Sequence, residues 1–306
     1  MHFEKTHRLS TFPIKGIIFS KDRAMQLHGL LSSYGCRCGD ADQIPVSVIY
    51  RASSPAYRQA YELLQKDFKG NLTIHWIEET DFKKNVLENA LGQKRRNWLE
   101  RLLFRPSRTD EKILFLVDDN LFVQDFHFAE VARALSNHRR ALGFSLRLGK
   151  NTNYCYPNRA GQSLPAFQED EGGILRFTWP DQEGDFGYPL EVSSSVYRLE
   201  DIEGLLQRLP YANPNRLEQG LSVSSRLFAR RKPELLCFEK SVAFCAPVNK
   251  VQTSLENRAG EKTENSAESL NAAFLNGYRI DVAALRGFVP RAAHQEIELP
   301  LVRLGA

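Results

Sequence analysis

The run Ile113-Leu114-Phe115-Leu116-Val117, followed at once by Asp118-Asp119-Asn120, constrains this chain more than any other stretch. Five apolar residues in succession suffice for a central strand and are too few for most helices. Such a strand belongs in a parallel sheet, and open α/β sheets take their ligands at the carboxyl ends of their strands. Two adjacent carboxylates at that edge repel each other unless something positive is shared between them. A hard divalent cation carrying a phosphate ligand is one answer, since magnesium is typically held by one or two carboxylates plus substrate oxygens. A solvated turn, with an Asp–Asn pair capping the next helix, is the other reading of the same residues.

The residues ahead of that strand alternate between strand and helix. Strands are predicted at Ile14–Ser20, Pro45–Tyr50 and Leu72–Ile77. A helix from Ala24 to Tyr34 follows the first, and Ser54 as N-cap with Pro55 at the first helical position opens the second. Asp81 opens a third helix that runs toward Leu103, with a break near Gly92. Each crossover is long enough to carry its helix, so the strands should be parallel with right-handed connections. Asp125–Arg139 reads as a further helix and Ala141–Leu148 as a further strand. Beyond them the pattern loosens. Strands are expected at Ile174–Trp179 and Val192–Arg198, a turn at Asp185–Pro189, and a short helix at Asp201–Leu209. Asn213-Pro214-Asn215 is turn chemistry leading into a helix through Leu217, Leu221 and Leu227. Thr253–Ser266 is polar and is expected to be a mobile loop; Asn265 with Glu268 resembles a capping box for a helix Ala267–Asn276.

The bulk numbers narrow the class. With 42% hydrophobic and 10% aromatic residues the chain can bury a substantial core. A net charge of +4 is mildly basic, which suits anionic small molecules and does not argue for nucleic acid. The five cysteines make no C-x-x-C pair and read as reduced thiols of a cytoplasmic protein. No apolar run approaches the ~20 residues of a membrane span, so a chain neither exported nor membrane-spanning is expected, with peripheral membrane contact left open.

Several side chains are candidates for chemistry. Ser20, Lys21 and Arg23 leave the first strand at the same edge as Asp118 and Asp119, where a hydroxyl and cations can hold a base or a diphosphate. The alternative is a helix N-terminus with ordinary surface charges. Arg96 and Asn97, in the cluster Lys94–Asn97, sit ahead of the acidic strand; a solvated helical face competes with bidentate phosphate recognition there. His75 lies inside an apolar strand and reads as a core histidine, while His294 in a polar tail is a candidate extra metal ligand. Trp179, Phe186 and Tyr188 offer a platform for a sugar ring or ordinary core packing.

Taken together, the Ser20-Lys21-Asp22-Arg23 turn, Arg96-Asn97 and Phe115-Leu116-Val117-Asp118-Asp119-Asn120 resemble the nucleotide-binding half of glycosyltransferases with the GT-A fold, family 2-like, over about residues 13 to 150. Gly143-Phe144 adds a feature similar to exostosin-like members. The resemblance implies a Rossmann-like α/β fold, a mostly parallel central sheet flanked by helices, with an acceptor-side extension. It implies a tail at 1–12, a nucleotide-sugar-binding half at 13–150, an acceptor-binding and catalytic half at 151–252, and a loop, helix and tail at 253–306. Carried over, Asp118 would contact the ribose or base, and Asp119, with Asn120 in place of the usual third acid, would bind Mn²⁺ or Mg²⁺ on the diphosphate. Ser20, Lys21 and Arg23 would begin the nucleotide pocket, and Arg96 with Asn97 would match the family's Arg-Asn element. Glu218, at the start of a helix beyond the second half of the sheet, takes the place of the family's catalytic base; Asp185 and Glu191 are rivals. The partners implied are a nucleotide-diphosphate sugar and a carbohydrate or other hydroxyl acceptor. Pro247–Gln252 would close over the donor.

Readings from other classes fare differently. A two-component receiver domain would need a phosphoacceptor aspartate after a later apolar strand, and Asp170 and Asp181 do not provide it. A sugar-nucleotide nucleotidyltransferase would show a Gly-rich basic loop after the first strand, unlike Ile17–Arg23. A non-catalytic carbohydrate- or partner-binding module stays open, because fold does not fix function.

Overall fold

The computed structural model describes residues 13–92, 110–249 and 265–304. The Arg96 and Asn97 expectations, most of the polar loop after Thr253, and the helix beyond Gly92 lie outside the described residues.

The first half forms as its periodicity predicts. Strands β1 (Ile14–Lys21), β2 (Val46–Arg51), β3 (Ile74–Glu78) and β4 (Lys112–Val117) alternate with helices α1 (Ala24–Arg37), α2 (Pro55–Asp67) and α3 (Phe82–Leu91). Side-chain caps start two of these helices: Ser54 Oγ accepts from Tyr57 N–H, and Asp81 accepts from Lys84 N–H. Helix α3 stops at Gly92, whose φ of 69° is a left-handed conformation that glycine adopts freely. Along β4, Leu114 and Leu116 point into the core beneath α1 and α2, whereas Ile113 and Phe115 point into the opposite core. Burial on both faces explains the unbroken apolar run, and each such side chain contributes about 1.5–3 kcal/mol relative to exposure.

After β4 come β5 (Asn120–Phe122), β6 (Ala141–Ser145), the small hairpin of β7 (Tyr154–Cys155) and β8 (Ala160–Gly161), β9 (Gln168–Asp170), β10 (Ile174–Thr178), β11 (Ser195–Arg198), β12 (Glu234–Phe238) and β13 (Ala243–Cys245). The main sheet has nine strands in the order β3-β2-β1-β4-β11-β6-β12-β10-β9. Only β10 and β11 run against the rest, so it is mostly parallel, with helices on both faces.

Three expectations change. His75 is exposed, because β3 is the sheet edge and none of its residues is fully buried. The second-half strand expected at 192–198 is shorter, and it enters antiparallel between β4 and β6. The helix near residue 267 is capped by Ser266, whose hydroxyl accepts from Ser269 N–H, and not by Asn265. Gly143 has a packing reason: a Cβ there would lie 2.7 Å from the Tyr197 ring. Tyr197 in turn donates its hydroxyl to the Glu191 carbonyl at 2.9 Å and so holds the segment leading into β11.

Candidate active site

The carboxyl ends of β1, β4 and β6 and the incoming end of β11 share one sheet edge, and a cavity of about 800 Å³ opens there. That volume lies within the range of small-ligand sites. Ser20, Lys21, Arg23, Asp118, Asp119, Asp185 and Glu218 line it, together with Arg147 and His294.

The turn leaving β1 is built to aim Arg23. Asp22 takes a left-handed φ of 56°, its N–H donates to the Arg51 carbonyl at 3.1 Å, and its carboxylate accepts from Ser53 N–H at 2.7 Å. The β1 and β2 exits are thereby tied together. Ser20 Oγ lies 2.6 Å from the Tyr61 hydroxyl, which also accepts from Arg23 N–H at 3.3 Å. Arg23 then reaches across to β4: Nη1 is 3.0 Å from Asp118 and 3.5 Å from Asp119. Its Nε donates to Asn249 Oδ1 at 2.9 Å and its Nη2 to the Asn249 carbonyl. Asn249 donates onward to the Asn265 carbonyl at 2.7 Å.

The two acids are not equivalent. Asp118 accepts from Arg23 and, through its other oxygen, from Lys21 N–H at 3.2 Å. Asp119 uses one oxygen on Arg23, and its Oδ1 is buried without a hydrogen-bond partner. Burial pushes the Asp119 carboxyl up to about 6, opposed by Arg23 and assisted by the neighbouring Asp118. Burial likewise raises Asp118 against the pull of Arg23. An unspent buried carboxylate oxygen is costly and marks a place where a positive ligand gains most.

Asn120 is turned the other way. Its Oδ1 accepts from Val117 N–H at 2.8 Å, and its Nδ2 donates to the Ser193 carbonyl at 3.0 Å and contacts Cys245 Sγ. It is fully buried and does not line the cavity, so the expectation of a metal ligand there is corrected: the amide knits the β4 turn to the segment entering β11 and to the end of β13.

On the far wall, Glu218 sits in the first turns of the helix Pro214–Ser224, started by Asn213, whose side chain accepts from Arg216 N–H. Its carboxylate accepts from Val192 N–H at 3.0 Å and from the Tyr188 hydroxyl at 3.3 Å. Burial, then the nearby Glu191, raise its pKa. Asp185 is also raised by burial, offset by Arg147, and holds Gln162 Nε2 at 3.3 Å. Glu191 is different. Its carboxylate accepts from Ser193 N–H and from the hydroxyls of Ser193 and Ser195, it is 2% exposed, and it lies behind the cavity wall. Because it does not line the cavity, its carboxylate has no approach to an acceptor hydroxyl there. Of the aromatic trio, Tyr188 lines the cavity, whereas Phe186 packs edge-to-face in the core with Phe167 and Phe177, and Trp179 is buried.

A strand running through to Leu148, as the apolar pattern predicts, hides Arg147 inside it. Ending β6 at Ser145 puts Arg147 just past a strand exit, as Asp118 is past β4. Among the described residues, no group of three or more His, Cys, Asp or Glu side chains is arranged to hold a metal.

No family model matches the chain. A curated relative, the bifunctional glycosyltransferase pgtA of Dictyostelium discoideum, is 25% identical over 276 residues, covering 82% of this chain and 34% of the relative. Over that stretch the chain is similar to a glycosyltransferase, as its motifs implied. It spans about a third of the relative's length. S. aureus TarS 1–349 in complex with UDP-GlcNAc matches with a TM-score of 0.45 and 11% identity, covering 87% of this chain and 72% of that one. The mannosyltransferase PcManGT from Pyrobaculum calidifontis, in complex with GDP-Man and Mn²⁺, matches with a TM-score of 0.38 and 13% identity, covering 74% and 55%. Likenesses of that size decide neither fold nor activity. No helix among the described residues is long and apolar enough to cross a membrane.

Proposed function

We propose that the chain is a glycosyltransferase that moves a sugar from a nucleotide-diphosphate donor to a hydroxyl acceptor, with the diphosphate at the Asp118–Asp119 edge. The observation that carries this reading is the buried, unpartnered Oδ1 of Asp119, a residue that lines the cavity beside a turn already organised by Arg23. Similarity to a glycosyltransferase over 82% of the chain supports it. Residues 13–150 bind the donor in this reading, and 151–249 meet the acceptor.

The residues present fit a divalent cation of the kind held by few protein ligands. Asp119 would hold Mn²⁺ or Mg²⁺ through its free oxygen, with phosphate oxygens completing the shell. When bound, the ion neutralises charge developing on the diphosphate. Asp118, pinned by Arg23 and Lys21 N–H, is held for the ribose or base, and Ser20 is fixed beside it by Tyr61.

The acceptor's proton goes to Glu218. As the acceptor oxygen bonds to the sugar's anomeric carbon, the bond from that carbon to the diphosphate breaks and its electron pair leaves with the phosphate. Glu218 is the better base of the two acids that remain. A helix and two hydrogen bonds fix it, and burial has raised its proton affinity. Asp185 sits on a short turn, and after burial its largest electrostatic influence is Arg147, which lowers it, whereas for Glu218 it is Glu191, which raises it.

The test is release of nucleoside diphosphate from a panel of UDP- and GDP-sugars with Mn²⁺, with and without simple glycoside acceptors. Acceptor-stimulated release from one donor is expected. Binding of a donor with no turnover on any acceptor points instead to a non-catalytic binding module, and failure to bind any member contradicts the assignment.

A further inference from the structure

We propose that Arg147 is a second, protein-supplied cation for the donor's diphosphate, held ready by Glu191 and His294. The inference rests on the cavity being the donor site.

Position comes first. Arg147 follows the exit of β6, and β6 is separated from β4 by the single strand β11. At about 4.8 Å per strand spacing, the two exits are about 10 Å apart. An arginine side chain together with the metal-facing Asp119 can bracket a diphosphate across that gap.

The guanidinium is buried yet poorly used. Arg147 is 3% exposed and lines the cavity. Its Nε lies 3.7 Å from Glu191 Oε1, beyond a hydrogen bond. Its Nη1 is 3.4 Å from both ring nitrogens of His294, a spread contact and not two bonds. Those are its polar contacts among the described residues, for a group carrying five N–H donors in a fixed fork. Glu191 cannot swing to form a forked pair, because Ser193 and Ser195 hold both of its oxygens. It therefore supplies counter-charge without using up the donors. His294 is tied down by its neighbours, as Cys245 N–H donates to the Ala293 carbonyl at 2.9 Å and Gln295 N–H to the Cys245 carbonyl at 2.9 Å. Burial and Arg147 push its pKa down to about 3, so no second positive charge crowds the site.

A buried guanidinium with open donors is an anion site, and planar bidentate recognition of phosphate is what Arg does best. Because it is oriented before the donor arrives, it stabilises charge on the leaving phosphate with little reorganisation.

The experiment measures calorimetric affinities for UDP against UMP, and GDP against GMP, in EDTA and in Mn²⁺. The proteins are the wild type, Arg147→Lys, and the charge-balanced double variant Arg147→Met/Glu191→Gln, each checked for a cooperative thermal transition. In EDTA the wild type should prefer the diphosphate. That preference should fall about ten- to a hundredfold in the double variant and about three- to tenfold in Arg147→Lys, with monophosphate affinity unchanged. An unchanged preference in either folded variant overturns the role of Arg147. Arg147→Lys keeps a charge in the wall, so it tests the inference even if the double variant fails to fold. A wild type that binds none of the four nucleotides, with or without Mn²⁺, overturns the donor-site reading itself.

Discussion

Half-buried Arg23 and buried Arg147 both stand among acids at one cavity, and they are employed in opposite ways. Arg23 is spent: it serves Asp118 and Asp119 with one nitrogen and Asn249 with the other two. What remains unsatisfied beside it is a carboxylate oxygen, on Asp119. Around Arg147 the acid is spent instead, because Glu191 is occupied by Ser193 and Ser195, and the guanidinium keeps its donors. One wall of the cavity is therefore short of a cation and the other short of an anion. A diphosphate carrying a divalent ion supplies both at once.

That contrast breaks first at the far wall. Glu218→Gln should lower kcat about 10²- to 10⁴-fold while leaving nucleotide affinity unchanged, because it removes a proton acceptor and no donor contact. Steady-state kinetics with calorimetry checks it, and the same loss in Asp185→Asn with none in Glu218→Gln would move the base to Asp185.

Asn120 sharpens the near wall. Since its amide is committed to Val117, Ser193 and Cys245, Asn120→Ala should cost about 1–3 kcal/mol of stability in urea unfolding. In the folded variant, Mn²⁺-dependent nucleotide affinity should stay within about threefold, the spread left by ordinary context effects. A much larger loss of metal dependence would return Asn120 to the cation site.

The smallest effect is a pH dependence. The His294 pKa is lowered to about 3 in the folded protein from an ordinary value near 6.5. The unfolded chain thus takes up a proton that the folded one refuses. This contribution to stability is intact above pH about 6.5 and is lost progressively as pH falls below it. His294→Gln should flatten that part of the acid limb relative to wild type, in unfolding curves taken at pH 7.5 and 5.

How much was legible follows from the same two walls. The first half announces itself because its inner strands are buried under helices, which leaves apolar runs and N-caps such as Ser54 and Asp81 in the sequence. Asp118, Asp119 and the Ser20–Arg23 turn were found by one rule, that parallel strands end at the ligand. Applied to β6, the rule also finds Arg147; an overlong strand concealed it. β11 and β12 were hard to place because their partners are set by long-range contacts, antiparallel β11 between β4 and β6 and parallel β12 beside β6, which no local period records. Asn120 and Glu191 looked functional by residue type. Only three-dimensional neighbours could show their polar atoms already taken.

The account turns on Asp119, and calorimetry of UDP and GDP with and without Mn²⁺, on wild type and Asp119→Ala, tests it most directly. The wild type should bind at least one of the two diphosphates tighter by about tenfold or more with Mn²⁺, the scale of a charge-assisted contact. Asp119→Ala should stay folded and lose that Mn²⁺ dependence. Equal, metal-independent affinities in the two proteins would contradict a cation shared between Asp119 and the phosphates.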